Sequence, residues 1–206
     1  MSSSPSSPSS PNPSSHYEDD DFQYIVEAVL AGRGLKILVA ETRFQDQLRN
    51  RGFGEKEDSE YILKPYEALY LIHTKRLVLK SKKDDLDFDS LTELILKYDK
   101  DILTRFLIYR DLRSRGYIAK EGFGFGVDFR VYERGEFEKK PSKYIVFGMN
   151  EGVNIKANNF SCAIEQIRKM GKDAVIAVIE RRGGIIYYKV SKTLFAENNK
   201  MYINII

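Results

Sequence analysis

The hydrophobic period of this chain changes at Gly116, and no other feature limits the possible folds as much. Before it, Ile102, Leu103, Phe106, Leu107 and Tyr109 recur at helical spacing, which predicts a helix over about 100–115 that stops at the glycine. After it, YIAK, VDFRVY and KYIVFGM alternate or run apolar, as strands do. The two periods place side chains on incompatible faces, so neither segment can adopt the other's structure. The strand pattern is broken once more, by a helix opening at Asn158 or Asn159 with Phe160, Ile164 and Ile167 on one face. AVIAVIE and IIYYKV then form a hairpin across Arg181 to Gly184, and MYINII reads as an edge strand.

Upstream, residues 22–40 read as two β-rich runs around a turn at Gly32 to Gly34. Pro65 suits the first turn of a helix whose Tyr66, Leu69, Tyr70 and Ile72 give an apolar face. A further helix over 87–97 is capped by Asp87 or Asp89 and turns Leu91, Leu94 and Ile95 inward. There is no internal repeat. The expectation is an α+β protein with a small N-terminal α/β lobe, residues 22–97. A C-terminal domain, residues 98–206, carries a mixed β-sheet flanked by helices.

Composition bears mainly on what the chain is not. Residues 2–15 hold nine Ser and four Pro, and Glu18 to Asp21 follow as an acidic run, so residues 1–21 are expected to be a disordered tail. The start has neither a basic n-region nor an apolar h-region, so no secretory signal is expected. No apolar stretch reaches the length of a membrane span. One Cys, Cys162, excludes an internal disulfide framework and suits a reducing, cytoplasmic setting. Two histidines and one cysteine cannot build a His/Cys zinc site, so neither metal nor cofactor is expected. The first 21 residues contain no Lys or Arg, and the remainder, with 33 basic and 26 acidic residues, is +7. That charge permits phosphate contact without requiring it.

The segment Tyr109 to Val146, YRDLRSRGYIAKEGFGFGVDFRVYERGEFEKKPSKYIV, contains D-F-R-V-Y-x-R-G after a helix ending R-D-L-R-S-R-G. With Y-E-A-L-Y-L-I upstream and GKDAVIAVIERRGGIIYYKV downstream, it resembles the archaeal tRNA-splicing endonuclease family over roughly residues 30–192. The resemblance implies that family's catalytic-domain fold and a metal-free RNase chemistry on precursor tRNA at bulge-helix-bulge sites. Attack by the neighbouring 2′-OH would leave a 2′,3′-cyclic phosphate and a 5′-OH. Such a step needs a base, an acid and positive charge for the phosphorane, which the family supplies with a Tyr, a His and a Lys.

By the same resemblance Tyr132 matches the family Tyr, and Lys172 matches the Lys without a gap. A three-residue insertion would make it Lys169. On residue chemistry alone, Tyr132 reads as a strand tyrosine packing on the core, and Lys172 equally well as a lysine complementing a helix C-terminus. Pro141 stands where the family has its His, with Ser142, Tyr144, Ile145 and Val146 keeping the flanking pattern. Proline carries no proton. Glu165 stands where active members have an Arg, and a carboxylate there repels phosphate. His16 lies in the tail and His73 in the other lobe, so neither is expected to replace the missing imidazole.

The resemblance therefore implies a non-catalytic structural subunit of a heteromeric tRNA-splicing endonuclease. Its partners would be precursor tRNA and a catalytic paralogue, in a dimer of heterodimers held by the C-terminal strands at 185–190 and 201–206. The loop Glu180 to Gly184 has Gly184 where an acidic docking residue is usual. Two enzyme readings compete: cleavage by this chain with a rearranged site, and a metal-dependent nuclease built on Asp128 with Glu138-Lys139-Lys140.

Overall fold

A computed structural model describes residues 22–32, 35–82, 84–124, 126–154, 157–194 and 201–205. The tail, residues 1–21, lies outside them, as do Arg33 and Gly34 of the first turn. The fold is α+β, with two mixed six-stranded sheets and five helices among the described residues.

The N-terminal sheet is built from β1 (Val26–Ala31), β2 (Lys36–Leu38), β3 (Glu55–Glu57), β4 (Glu60–Leu63), β5 (Leu77–Lys80) and β6 (Asp85–Leu86). They are ordered β3-β4-β2-β1-β5-β6, and only β1 and β5 pair in parallel. Its helices are α1 (Thr42–Asn50), α2 (Pro65–His73) and α3 (Phe88–Leu96). The expected caps are present: Pro65 opens α2, and the Asp87 carboxylate accepts from the Ser90 N–H at the start of α3. Helix α1 and strands β3 to β6 have weak signatures. Within α1 only Phe44 and Leu48 are buried apolar residues, β3 is Glu-Lys-Glu, and these strands have two to four residues each.

Helix α4 (Ile102–Ser114) ends as expected. Gly116, at φ +80°, lets its own N–H reach the Arg113 carbonyl and that of Tyr117 reach Leu112. One expectation fails: Leu103 is 41% exposed, because α4 buries the face carrying Ile102, Phe106, Ile108 and Tyr109.

The second sheet comprises β7 (Ile118–Glu121), β8 (Phe129–Tyr132), β9 (Tyr144–Asn150), β10 (Asp173–Ile179), β11 (Ile185–Leu194) and β12 (Met201–Ile205). They lie in the order β12-β11-β10-β9-β8-β7, with β12 at the edge as expected. Only β9 and β10 are parallel, and α5 (Ala157–Lys169) connects them. Its two faces serve two cores. Phe129, Val131, Val146 and Ala177 face α4 and join one continuous core with Phe53, Tyr66 and Leu69 of the N-terminal lobe. Ile145, Phe147, Ala174 and Ile176 face α5 and pack on Ile164 and Ile167. Gly148 permits the close approach of α4 to β9, since a Cβ there would lie 2.5 Å from the Ile108 side chain.

A buried ion pair bridges the lobes. Glu67 is fully buried and Lys120 is 6% exposed. The Lys120 ammonium donates to the Gly52 and Gly54 carbonyls and to the Glu67 carboxylate. Glu67 also accepts the backbone N–H groups of Gly54 and Lys64.

Candidate functional site

The residues singled out by sequence gather where β8 ends and β9 and β10 begin. Register sets this. Val131 pairs with Tyr144 and Tyr144 with Asp173, so Tyr132, Lys143 and Lys172 fall side by side one step beyond the last ladder pairs. The backbone bonds from Lys143 N–H to the Val131 carbonyl and from Asp173 N–H to the Lys143 carbonyl extend the alignment to that end. Tyr132 and Lys172 lie two strand spacings apart, about 10 Å between backbones.

The end of α5 delivers Lys172. Gly171, at φ +69°, donates its N–H to the Arg168 carbonyl, and the Lys172 N–H reaches Ile167, so the lysine is the first residue after a glycine cap. Its ammonium then donates to the Ser142 carbonyl at 2.6 Å and the Ser142 hydroxyl at 2.7 Å. Two of its three protons are thus spent on the residue after Pro141. Ser142 is buried, and Pro141 is exposed beside it. Burial, and then the charge of Arg130, hold the Lys172 ammonium below its ordinary pKa. Tyr132 is half-buried, with its ring edge-on to Phe137 at 5.1 Å.

Other candidates stay apart. Lys169 lies exposed on the last turn of α5, and Glu165 is also exposed, one turn earlier on the same helix. His73 stands at the end of α2 against the rings of Phe88 and Phe106, away from the sheet end. Asp128 precedes β8 and accepts the Gly148 N–H at 2.7 Å, whereas Glu138 follows the far end of that strand. The carboxylate–lysine pattern of a metal nuclease is therefore not assembled.

Two residues of the site escaped sequence reading. Ser142 was noted only as flanking pattern, although it anchors the lysine. Arg130 lies two residues before Tyr132, so strand alternation puts both on the α5 side of the sheet. Its guanidinium donates to the Glu121 carbonyl at 2.8 Å. The D-F-R-V-Y alternation could have revealed it.

Comparison with known proteins decides the family. Residues 26–92 match the N-terminal domain of tRNA intron endonucleases, and residues 102–187 match the catalytic C-terminal domain. The chain is similar to the tRNA-splicing endonuclease of Methanococcus vannielii, with 30% identity over 156 residues, 75% of this chain and 88% of the relative. It is 33% identical to that of Thermococcus onnurineus over 151 residues, 73% and 87% of the two chains. It is 32% identical to that of Pyrococcus furiosus over 146 residues, 71% and 84%. This chain belongs to the tRNA intron endonuclease family. The family's activity is tRNA-intron cleavage, so RNA is the family's substrate class.

In this tRNA intron endonuclease chain, the C-terminal strands are differently exposed from expectation. β11 pairs with β10 along Ile185 to Val190 but with β12 only from Val190 to Leu194. Among the described residues, the second edge of Ile185 to Tyr188 is therefore not covered by β12. Tyr187 does not face outward as a contact candidate: its hydroxyl donates to the Asp111 carboxylate at 2.7 Å, and it packs against the core. Ile186, 38% exposed, is the solvent-facing residue. The side chains of β12, including Ile203, lie outside the description. Among the described residues no helix is long and apolar enough to cross a membrane.

Proposed function

We propose that this chain is a structural, non-catalytic subunit of a heteromeric, cytoplasmic tRNA-splicing endonuclease that excises introns at bulge-helix-bulge sites. Pro141 carries this reading. Tyr132 and Lys172 remain at the sheet end, yet the position beside Ser142, where the family resemblance calls for a histidine, holds a side chain without a proton. Loss of one proton carrier in such a site costs several orders of magnitude in rate. The Lys172 ammonium is drawn to Ser142, which further supports a site relieved of turnover. The cleavage itself, metal-independent and leaving a 2′,3′-cyclic phosphate and a 5′-OH, falls to a paralogue with all three groups.

The partner surface is the edge of β11 left open among the described residues, where Ile185 to Tyr188 offer backbone groups to an added strand beside exposed Ile186. A heterodimer forms there, and two heterodimers make the working assembly. Ile186→Lys is expected to separate this chain from its partner in sedimentation without lowering its own melting temperature. An unchanged complex would remove that edge from the interface.

A second reading, cleavage by this chain itself, is favoured by the adjacency of Tyr132 and Lys172. Incubating the purified chain with a bulge-helix-bulge RNA in EDTA separates the two. No cleavage is expected, and Pro141→His alone is expected not to restore full activity, because Glu165 remains. Robust cleavage by the unmodified chain overturns the structural-subunit reading.

A further inference from the structure

A cavity of about 240 Å³, lined in part by Lys172, opens between the end of α5, the start of β10 and the middle of β11. Its lining divides by chemistry. Ile164, Ala174 and Val190 are buried aliphatic residues, whereas Arg168, Lys172 and Lys189 are cations with a single carboxylate, Asp173, among them. Asp173 is already paired with Lys189 at 3.0 Å, so the formal charge around the opening is +2. The local fold sets these positions. Arg168 lies one turn after buried Ile164 on α5 and is itself exposed at the rim, and Ala174 pairs directly with Val190.

We propose that this cavity is a subsite for one nucleotide of a precursor-tRNA strand that crosses this chain at the end of the second sheet, with its phosphate at Arg168 and Lys189. The proposal rests on the reading that the chain contacts precursor tRNA. Three features lead to it. The cavity is smaller than the roughly 300 Å³ lower limit of typical small-molecule sites, so it suits one repeating unit of a polymer. An aliphatic floor under a cationic rim matches a nucleotide, which presents a flat apolar face and a charged phosphate on adjoining atoms. A guanidinium also grips phosphate oxygens in pairs, a geometry a bare ammonium lacks. Lys172 lines this cavity as well as holding Ser142, so a strand seated here meets the same end of the sheet that carries Tyr132. Contacts of this kind position RNA without reading its sequence.

The test uses the full chain, a fluorescently labelled bulge-helix-bulge RNA in EDTA, and binding measured over a salt series. Arg168→Gln and Lys189→Gln are each expected to weaken binding about three- to tenfold and to flatten the slope of log K against log salt by about 0.7–0.9. Arg168→Lys should recover the slope but only part of the affinity. Lys80→Gln, in the N-terminal lobe and paired with Glu27, is the reference for a general loss of charge. Melting temperatures confirm that the variants are folded. If the unmodified chain binds and the Arg168 and Lys189 variants behave like the Lys80 variant, the subsite is refuted while RNA contact stands. If the unmodified chain does not bind the RNA at low salt, RNA contact and the subsite fall together.

Discussion

Two lysines of the second sheet show how differently one side chain can be used. Lys120, on β7, is buried at the seam between the lobes, and its ammonium is taken up by Gly52, Gly54 and Glu67. Lys172, just before β10, is only half-buried and spends two protons on Ser142. The first is a closed arrangement whose every partner is internal. The second sits at a sheet end beside a charged cavity. A buried, fully bonded ion pair is costly to disturb but adds little by itself, whereas a half-buried, positively crowded ammonium is held where an anion can meet it. What distinguishes the two lysines is that one is enclosed at the seam between the lobes and the other stands at the rim of a cavity.

The sharpest way to break the comparison is Lys120→Met, which leaves the Glu67 carboxylate buried without its cation. It is expected to cost about 3–5 kcal/mol, read as a large drop in the denaturant midpoint. A shift below about 1 kcal/mol would mean that the seam pair is idle. Gly171→Ala comes next. There is open space around that Cα, but the φ of +69° disfavours any L side chain, at about 1–2 kcal/mol. The same strain should displace the lysine that follows. Lys172→Met should move stability by less than about 1 kcal/mol while weakening RNA binding. An effect on stability as large as that of Lys120→Met would make the two lysines alike.

The smallest effect concerns charge. Burial and then Arg130 keep the Lys172 pKa below its ordinary value of 10.5. The unfolded chain therefore holds this proton to higher pH than the folded one. The resulting cost to the fold is present at neutral pH and fades as pH rises through the folded pKa. Arg130→Gln removes the second cause and leaves the first, so an NMR titration should show the Lys172 pKa rising part of the way toward 10.5. No movement would place the guanidinium too far from the ammonium to matter.

Much of this was legible in the chain. Strong periodicity and strong punctuation, as in α4 with Gly116 or β9 with its run YIVF, identified elements with close to their observed limits. The convergence of Tyr132 and Lys172 was foreseen only through family resemblance, since forty residues separate them. Elements below about four residues, such as β3 and β6, have no period to detect. The seam pair was invisible for another reason. Glu67 and Lys120 are polar residues inside apolar segments, and sequence alone does not say that they meet. Tyr187 shows the same limit: its strand is apolar throughout, so sequence alone left open which residue faces outward, and Asp111 holds this one inward.

The continuous core that runs from Phe53 and Tyr66 through Tyr109 to Phe129 and Val131 has a consequence for how such a chain can change over time. Cutting between the halves would leave each with an oily wall facing water, so neither is a portable module. Unfolding is expected to be a single event, and a substitution under the N-terminal sheet should be felt at the far end of the molecule as lost cooperativity. A lineage that gives up its own chemistry can lose the proton carriers of the sheet end without losing the fold. It cannot discard the N-terminal lobe that supplies Phe53, Tyr66 and Leu69 without losing the platform that the remaining strands are mounted on.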